Sequence, residues 1–476
     1  MFARFSSTYT SCLSLFLVES HQLLLLDIYI SCKLNAFTPS IESSPRPLSK
    51  QSFHIRMPAA VSPERPRSGI TRLTGCRLVK NNTLVEEDLW LSSVTGRILR
   101  SQEVFYEHQA APDDVIDLGG RIVCPGFIDV QFNGAFGFDF SQAPQDPVSH
   151  RKGLKELNRK LIGTGLTSYL PTITSQTPEL YHSALPYLGP SGAARDANEG
   201  SESLGAHVEG PFLSPTKNGI HSPGVLQSAM SFADLEACYG ADNLANIKKL
   251  TAAPEVANMT SIIPEVVKRN IIFSIGHTEA TYEEASAAVA AGAKMITHLF
   301  NAMKPLHHRN PGVFGILGHP STHTPFFGVI ADGIHLHPTT VKIAYAAHPE
   351  GMILVTDAMS LAGLPDGTYN WTNGDSIVKR GSNLTLDGTD KIAGGCATLL
   401  DCVNNFLNWS SASIPEAVRA VTITPAKMLG LEGVKGCLEA DADADLLVLS
   451  EEVDGDGKRL LVDQVWKFGR LVHERS

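Results

Sequence analysis

The chain has 476 residues, of which 43% are hydrophobic and 18% are charged. This balance is typical of a soluble enzyme with a substantial core. The formal net charge of −10 argues against a nucleic-acid partner and an anionic membrane surface, because both call for a concentrated basic face. The eight cysteines are scattered without a Cys-x-x-Cys pair, so we expect reduced thiols and a cytoplasmic location.

Residues 1–56 differ from the rest of the chain. Their apolar runs at 13–17 and 23–26 are much shorter than the roughly 20 residues of a membrane span. They also lack the single apolar stretch of a signal peptide, whereas Arg4, several serines and few acids leave a transit peptide open. We interpret the segment as a disordered or non-native extension before Met57.

Short β-like segments occupy both ends of the remaining chain, at 70–125 and 381–476. Two β-rich ends around a different middle predict one small β-sandwich to which both ends contribute. The C-terminal candidate strands begin with Ser382–Leu386 and continue with Asp445–Leu449. The Gly-, Ser- and Ala-rich segment 188–204 is predicted to be a flexible surface insertion.

The middle, 126–380, alternates apolar strands with amphipathic helices such as Tyr282–Ala291 and Thr339–Ala347. Eight such units in about 250 residues predict an α/β fold, a closed (β/α)8 TIM-like barrel. An open doubly wound sheet is the alternative, but no Gly-x-Gly-x-x-Gly motif opens a helix. The predicted strands are Phe127–Phe132, Thr167–Thr172, Ala206–Val208, Lys249–Ala252, Ile271–Ile275, Met295–His298, Phe326–Ile330 and Met352–Val355.

Polar side chains follow these apolar runs at the C-terminal strand ends, where barrels of this kind carry catalytic groups. A carboxylate and two imidazoles from three strands can hold one divalent ion and leave a position open for water. Each histidine alone could be a packing or capping residue, but their shared place at one barrel mouth favours the metal site. In chain order these residues are Gln131, Asn133, Glu209, His277, His298, Asp332, His335 and Asp357.

Several motifs carry a family resemblance. Pro-Gly-Phe-Ile-Asp-Val at 125–130 resembles the entry to the first barrel strand of the amidohydrolases. More narrowly, the chain resembles the N-acetylglucosamine-6-phosphate deacetylase family through motifs that occur in order between about 70 and 476. These motifs are His-Val-Glu-Gly-Pro-Phe at 207–212, Gly-His-Thr at 276–278, Thr-His-Leu-Phe-Asn-Ala-Met at 297–303, Ala-Asp-Gly-Ile-His at 331–335, Val-Thr-Asp-Ala at 355–358 and Ile-Ala-Gly-Gly at 392–395.

The first strand departs from a common amidohydrolase pattern. Many members carry His-x-His there, which supplies a second metal, whereas this chain has Gln131-Phe132-Asn133. Amides are poor ligands for a transition metal beside imidazole, and no lysine ends strand 4 that could be carboxylated to bridge two metals. We therefore predict one divalent ion per chain, with zinc as the expected metal, held by Glu209, His277 and His298.

The resemblance implies hydrolysis of N-acetyl-D-glucosamine 6-phosphate to D-glucosamine 6-phosphate and acetate, in amino sugar catabolism. A metal-bound water would be the nucleophile, Asp357 the general base and acid, and His335 the hydrogen-bond partner of the substrate carbonyl or oxyanion. Asp357 could alternatively cap the helix after strand 8. The resemblance places Arg309 and His221 near the phosphate. The full set of implied substrate-binding residues is Gln131, Ile220, His221, Asn301, Ala302, Arg309, His335, Ile392, Ala393 and Gly394.

The resemblance also implies a homodimer, in which Arg309 could serve its own or the neighbouring subunit's site. Two other hypotheses stay open. One is an amidohydrolase acting on a cyclic amide or an aminated base, against which the absent His-x-His and the presence of Arg309 speak. The other is a catalytically inactive barrel used for assembly, against which the complete set of ligands and Asp357 speak.

Overall fold

The computed structural model describes residues 67–107, 110–318, 324–370, 376–455 and 457–475. The extension predicted at 1–56 lies outside the described residues. Within them, no helix combines the length and the apolar character that crossing a membrane requires.

A ring of eight parallel strands forms the centre of the fold, and each strand pairs with its sequence neighbours. A parallel bridge between Phe132 and Ala358 joins the first strand to the segment after the eighth. The predicted (β/α)8 barrel is confirmed. Its strands are Phe127–Phe132, Leu166–Ile173, Ala206–Glu209, Ile247–Ala252, Ile272–Ile275, Met295–Ile296, Phe326–Ile330 and Met352–Val355.

Helices connect these strands, and several begin at a side chain that caps free backbone amides. Asp146 accepts hydrogen bonds from Val148 N and Ser149 N, and Pro147 occupies the first helical position, where its missing N–H costs nothing. Both predicted example helices are confirmed. The α-helices are Pro147–Ile162, Pro178–Ala184, Phe232–Tyr239, Met259–Lys268, Tyr282–Ala290, Pro338–Ala347, Leu399–Trp409, Ile414–Arg419 and Ile423–Leu429.

Two antiparallel-rich sheets from both chain ends form the predicted sandwich, which is confirmed. Their facing side chains, among them Leu73, Leu91 and Val123, build a core cluster distinct from that of the barrel. The four-stranded sheet contains Ile70–Thr74, Leu89–Ser92, Arg97–Leu99 and Asp114–Asp117. The six-stranded sheet contains Arg77–Lys80, Thr83–Glu86, Ile122–Pro125, Leu446–Asp454, Gly457–Lys467 and Arg470–Glu474.

The C-terminal segment 381–476 is more varied than the sequence suggests. Asn383–Leu386 pairs with Ser376–Arg380 and Ile392–Gly395 in a separate four-stranded sheet, whose first strand is Gly367–Asn370. Three helices follow, and the strands of the sandwich resume only at residue 446. The sequence analysis found one strand of this sheet but assigned it to the sandwich, although its two partners are its neighbours along the chain.

The segment 188–204 is not a surface insertion throughout, so this prediction is wrong for its last residues. Glu202–Ser203 is a short strand that pairs in parallel with Ser168 and Tyr169 of the second barrel strand. Residues 201–203 are buried. Composition identified the polar, small-residue character of the segment but gave no sign of the partners that Glu202 finds far along the chain.

Those partners form a buried ionic cluster. The ammonium of Lys467 lies 2.5 Å from Glu202 Oε1 and 2.7 Å from Asp445 Oδ2. Lys435 lies 2.5 Å from the same Glu202 oxygen and 2.7 Å from Asp443 Oδ2. Because each charge is almost fully removed from water, each depends on its partners. The cluster thereby joins a strand beside the barrel to the C-terminal strands of the sandwich.

We expect Lys467→Met to lower the free energy of unfolding by about 3–5 kcal/mol, because it leaves Glu202 and Asp445 buried with one cation fewer. Urea denaturation measures the change. Lys155→Met is the matched control, since it removes an exposed pair with Glu199 and should cost no more than about 1 kcal/mol. Equal losses in the two variants would contradict a structural role for the buried cluster.

Candidate metal centre and active site

A cavity of about 260 Å³ lies at the C-terminal ends of the barrel strands. Its wall includes the three predicted metal ligands together with His335 and Asp357. These side chains come from the ends of strands 3, 5, 6, 7 and 8, which closure of the barrel brings to one mouth. The structure therefore brings together the predicted centre of the site.

The three predicted ligands face one another. Glu209 Oε1 lies 3.3 Å from His277 Nε2 and 3.1 Å from His298 Nε2, and the two ring nitrogens are 3.1 Å apart. All three residues are at most 4% exposed. One carboxylate and two imidazoles that converge on a point, with room beside them in the cavity, fit a tetrahedral divalent ion such as zinc. The other such group among the described residues, Glu202 with Asp443 and Asp445, is already neutralised by lysines.

A hydrogen bond on the side of the ring away from the centre fixes the orientation of His277. Its Nδ1 lies 2.8 Å from the carbonyl oxygen of Lys217 and donates a hydrogen bond to it, so Nε2 faces the centre, where it would present a lone pair to a bound ion. Burial would raise the pKa of Glu209, yet its hydrogen bonds with His277 and His298 hold that pKa well below the usual value. Glu209 is therefore a carboxylate anion surrounded by groups that compensate its charge.

The backbone is unusual at three of the functional positions. His277, His298 and Asp357 have φ values of 48°, 26° and 48°, in the region that side chains other than glycine rarely adopt. Each such residue costs of order 1–3 kcal/mol and persists only where its surroundings impose it. Here the strained conformation coincides with the points where strands 5, 6 and 8 end and their polar side chains enter the cavity.

The two amides of the first strand hold the two carboxylates of the site. Gln131 Nε2 donates to Glu209 Oε1 at 2.9 Å, and Asn133 Nδ2 donates to Asp357 Oδ1 at 2.7 Å. Gln131, predicted to bind substrate, is fully buried and does not line the cavity, whereas Asn133 does. Burial, and then the charge of Glu209, raise the pKa of Asp357, so this carboxyl group is a better proton acceptor than an exposed aspartate.

His335 is held by Asp332, a residue that the sequence placed at the strand end without a role. His335 Nδ1 donates to Asp332 Oδ2 at 2.7 Å, while Asp332 Oδ1 accepts from the backbone amides of Ile334 and His335. Burial would raise the pKa of Asp332, but these hydrogen bonds lower it overall. The ionised Asp332 stabilises positive charge on the imidazole and leaves Nε2 of His335 to act in the cavity, whose wall includes His335.

His221 lies beside the metal ligands. Its ring centroid is 4.5 Å from that of His277, and its Nδ1 accepts from the Ser175 backbone amide at 3.0 Å. Since an amide N–H can only donate, the neutral ring carries its proton on Nε2. Burial, and then the neighbouring His277, lower the pKa of His221 to about 3. His221 is therefore a neutral hydrogen-bond donor in the cavity wall, and its contact with the phosphate stays a prediction.

The remaining predicted residues divide into two groups. Arg309 is exposed, lies against the His308 ring at 3.2 Å, and does not line the cavity of its own chain. Ala393 is also absent from the cavity wall, whereas Lys391, which the sequence analysis missed, is part of it. Its position directly before the Ile-Ala-Gly-Gly motif was the available signal. The predicted residues that do line the cavity are Ile220, His221, Asn301, Ala302, His335, Ile392 and Gly394.

A closed barrel whose strand ends collect a glutamate, two histidines and an aspartate defines a metal-dependent hydrolase of the amidohydrolase class. The sequence profile of the Amidohydrolase family matches residues 122–472. An N-acetylglucosamine-6-phosphate deacetylase of Mus musculus is 41% identical over 409 residues, which cover 84% of this chain and 96% of that protein. The Danio rerio deacetylase of the same name is 40% identical, covering 84% of this chain and 97% of its own length.

Solved structures agree with these relatives. The N-acetylglucosamine-6-phosphate deacetylase of Pasteurella multocida superposes with a TM-score of 0.71 at 26% identity, covering 84% of this chain and 99% of that one. A mutant of the Mycobacterium smegmatis enzyme, solved in complex with N-acetyl-D-glucosamine-6-phosphate, gives 0.67 at 27% identity, covering 85% and 99%. The chain belongs to the amidohydrolase family and, within it, to the N-acetylglucosamine-6-phosphate deacetylases.

We expect Asp332→Asn to reduce hydrolytic turnover by about 10- to 100-fold, because the amide cannot stabilise charge on His335 or fix its tautomer. Initial rates of substrate hydrolysis measure the change, and circular dichroism verifies the fold. Asp146→Asn is a matched control, since Asp146 also accepts two backbone amides but lies away from the cavity. Unchanged turnover in Asp332→Asn would remove Asp332 from the mechanism.

Proposed function

We infer that the protein hydrolyses the acetamide of N-acetyl-D-glucosamine 6-phosphate and releases D-glucosamine 6-phosphate and acetate, a step of amino sugar catabolism. The observation that carries this inference is the meeting of Glu209, His277, His298 and Asp357 at one cavity, in a chain about 40% identical to deacetylases over most of its length. The complete set of groups speaks against an inactive barrel.

We propose that Glu209, His277 and His298 hold a single divalent ion, and that this ion is zinc. The donor set supports zinc, and the single-ion assignment is supported by the side chains of Gln131 and Asn133, because amides are poor ligands for a transition metal beside imidazole. When bound, such an ion lowers the pKa of water and polarises a carbonyl group. The remaining chemistry falls to side chains of the chain itself.

Asp357 carries out the two proton transfers of the reaction. It takes a proton from the attacking water and returns it to the nitrogen of the sugar as the carbon–nitrogen bond breaks, so that the amine leaves in neutral form. Its raised pKa and its hydrogen bond from Asn133 suit a group that changes protonation during each turnover. In this proposal the Nδ1 of His335 donates to Asp332, and its Nε2 donates to the acetyl oxygen, where negative charge develops.

Substitution separates these roles. Asp357→Asn should keep about one divalent ion per chain but lose several orders of magnitude in acetate release, because size and hydrogen bonding remain while the base is removed. His277→Ala should lose the ion as well as the activity. Metal analysis by plasma mass spectrometry and an acetate assay give the two readouts. A stoichiometry near two in the wild type, or near-normal rates in Asp357→Asn, would contradict the assignment.

We further propose that the protein acts as a homodimer and that Arg309 contacts the phosphate in the neighbouring subunit's site. A guanidinium group suits a phosphate because it donates two parallel hydrogen bonds. Arg309 is exposed and lies outside the cavity of its own chain, which supports a role towards a second copy.

Arg309→Ala should lower kcat/KM on the phosphorylated sugar by about 10- to 100-fold, whereas the slow hydrolysis of unphosphorylated N-acetylglucosamine should change little.

Mixed dimers then show whether Arg309 serves its own site or that of the neighbouring subunit. Arg309→Ala subunits co-assembled with Asp357→Asn subunits should regain activity, because one site per dimer combines an intact Asp357 with an intact Arg309 from the other chain. Light scattering verifies the dimer. Failure to regain activity would assign Arg309 to its own site, and equal losses on both sugars would make it structural.

We place the protein in the cytoplasm. The six cysteines of the described residues are all free thiols, and five of them are buried. Unpaired thiols persist most readily in a reducing compartment, and a core of this size needs no disulfides for its stability.

A further inference from the structure

Binding the phosphate of the proposed substrate requires positive charge, which the protein as a whole does not supply. A phosphate ester carries nearly two negative charges at neutral pH. The chain has a net charge of −10, so long-range attraction of an anion is not available from the protein as a whole. Recognition therefore depends on cations that lie at the cavity itself.

The charges of the cavity wall are unevenly distributed. Glu209 and Asp357 contribute carboxyl groups to the wall. Among the described residues of the wall, Lys391 is the one lysine or arginine. A phosphate that enters this cavity thus meets one permanent cation from the same chain.

The backbone around Lys391 is fixed while its side chain is free. The Lys391 amide donates to Thr389 Oγ1 at 3.2 Å, and its carbonyl oxygen accepts from the Leu386 amide at 3.0 Å. These bonds hold the turn between strands Asn383–Leu386 and Ile392–Gly395, beside the cavity. Within the described parts of the chain, the ammonium group of Lys391 has no ion pair or hydrogen bond. A lysine whose backbone is held in place and whose ammonium group is unpaired is suited to bind an anionic ligand.

We propose that Lys391 binds the phosphate group of the substrate in the site of its own chain. This proposal rests on the proposed function and deepens it by naming a specificity residue that the family motifs do not contain. A lysine acts on phosphate as a compact charge without fixed geometry, so it should strengthen binding of the phosphorylated sugar and leave the chemical step unaffected.

Three variants test the proposal by steady-state kinetics on N-acetylglucosamine 6-phosphate and on N-acetylglucosamine. Lys391→Met keeps the length of the side chain and removes its charge, so kcat/KM on the phosphosugar should fall about tenfold, mainly through KM. On the unphosphorylated sugar the change should stay within about twofold. Lys391→Arg keeps the charge and should retain most of the wild-type kcat/KM on the phosphosugar. Lys342→Met, which changes an exposed lysine on an outer helix, should match the wild type.

Equal losses on the two sugars, no loss in Lys391→Met, or an equal loss in Lys342→Met would overturn the proposal. Calorimetry on Asp357→Asn, with and without Lys391→Met, separates this proposal from the proposed reaction. Loss of the charge should raise the Kd for the phosphosugar about tenfold. If the phosphosugar binds but the wild type releases no acetate, the reaction is wrong and the ratio of Kd values still decides the role of Lys391. If the phosphosugar does not bind at all, both are overturned.

Discussion

Glu209 is a carboxylate buried at the mouth of the barrel, and the arrangement of the site follows from the need to compensate its charge. An unpaired buried carboxylate is too costly for a folded protein to keep ionised. Gln131 donates a hydrogen bond to it, and the Nε2 atoms of His277 and His298 lie 3.3 and 3.1 Å from its Oε1 atom. Burial, and then the same charge, raise the pKa of Asp357. The buried anion at Glu209 therefore contributes both to the candidate metal site and to the properties of the carboxyl group beside it.

The barrel gives these two carboxyl groups opposite properties although both leave strand ends at the same mouth. Glu209 is held ionised by the histidines, whereas Asp357 has one amide donor from Asn133 and the repulsion of Glu209. Environments that push two pKa values apart suit otherwise similar groups to different tasks, which supports the proposed roles of Glu209 as a metal ligand and Asp357 as a proton carrier. The replacement of His-x-His by Gln131 and Asn133 thus has a positive function, because each amide supports one of the carboxylates.

How much the sequence predicts depends on whether a feature is local or results from tertiary contacts. The eight barrel strands were predictable because strands buried on both faces read as continuous apolar runs, and Glu209, His298 and Asp357 follow from where those runs end. The hydrogen bond between His335 and Asp332 could also have been predicted, since the two residues are three apart in the sequence. The lysines around Glu202 could not be predicted, because Lys435 and Lys467 lie far from it along the chain and meet it only in the folded protein.

Chemistry and substrate selection are placed on different parts of the structure. The reacting groups stand at strand ends whose backbones are locked by the barrel, even at the cost of positive φ at His277 and Asp357. The cations proposed to bind phosphate, Arg309 and Lys391, lie instead on exposed segments outside the ring of strands. Proton transfer requires placement within a fraction of an ångström, whereas attraction between a phosphate and an ammonium group tolerates movement. A rigid mouth with adaptable charges at its edge therefore satisfies both requirements at once, and substitutions at the edge can alter substrate preference without disturbing the metal ligands.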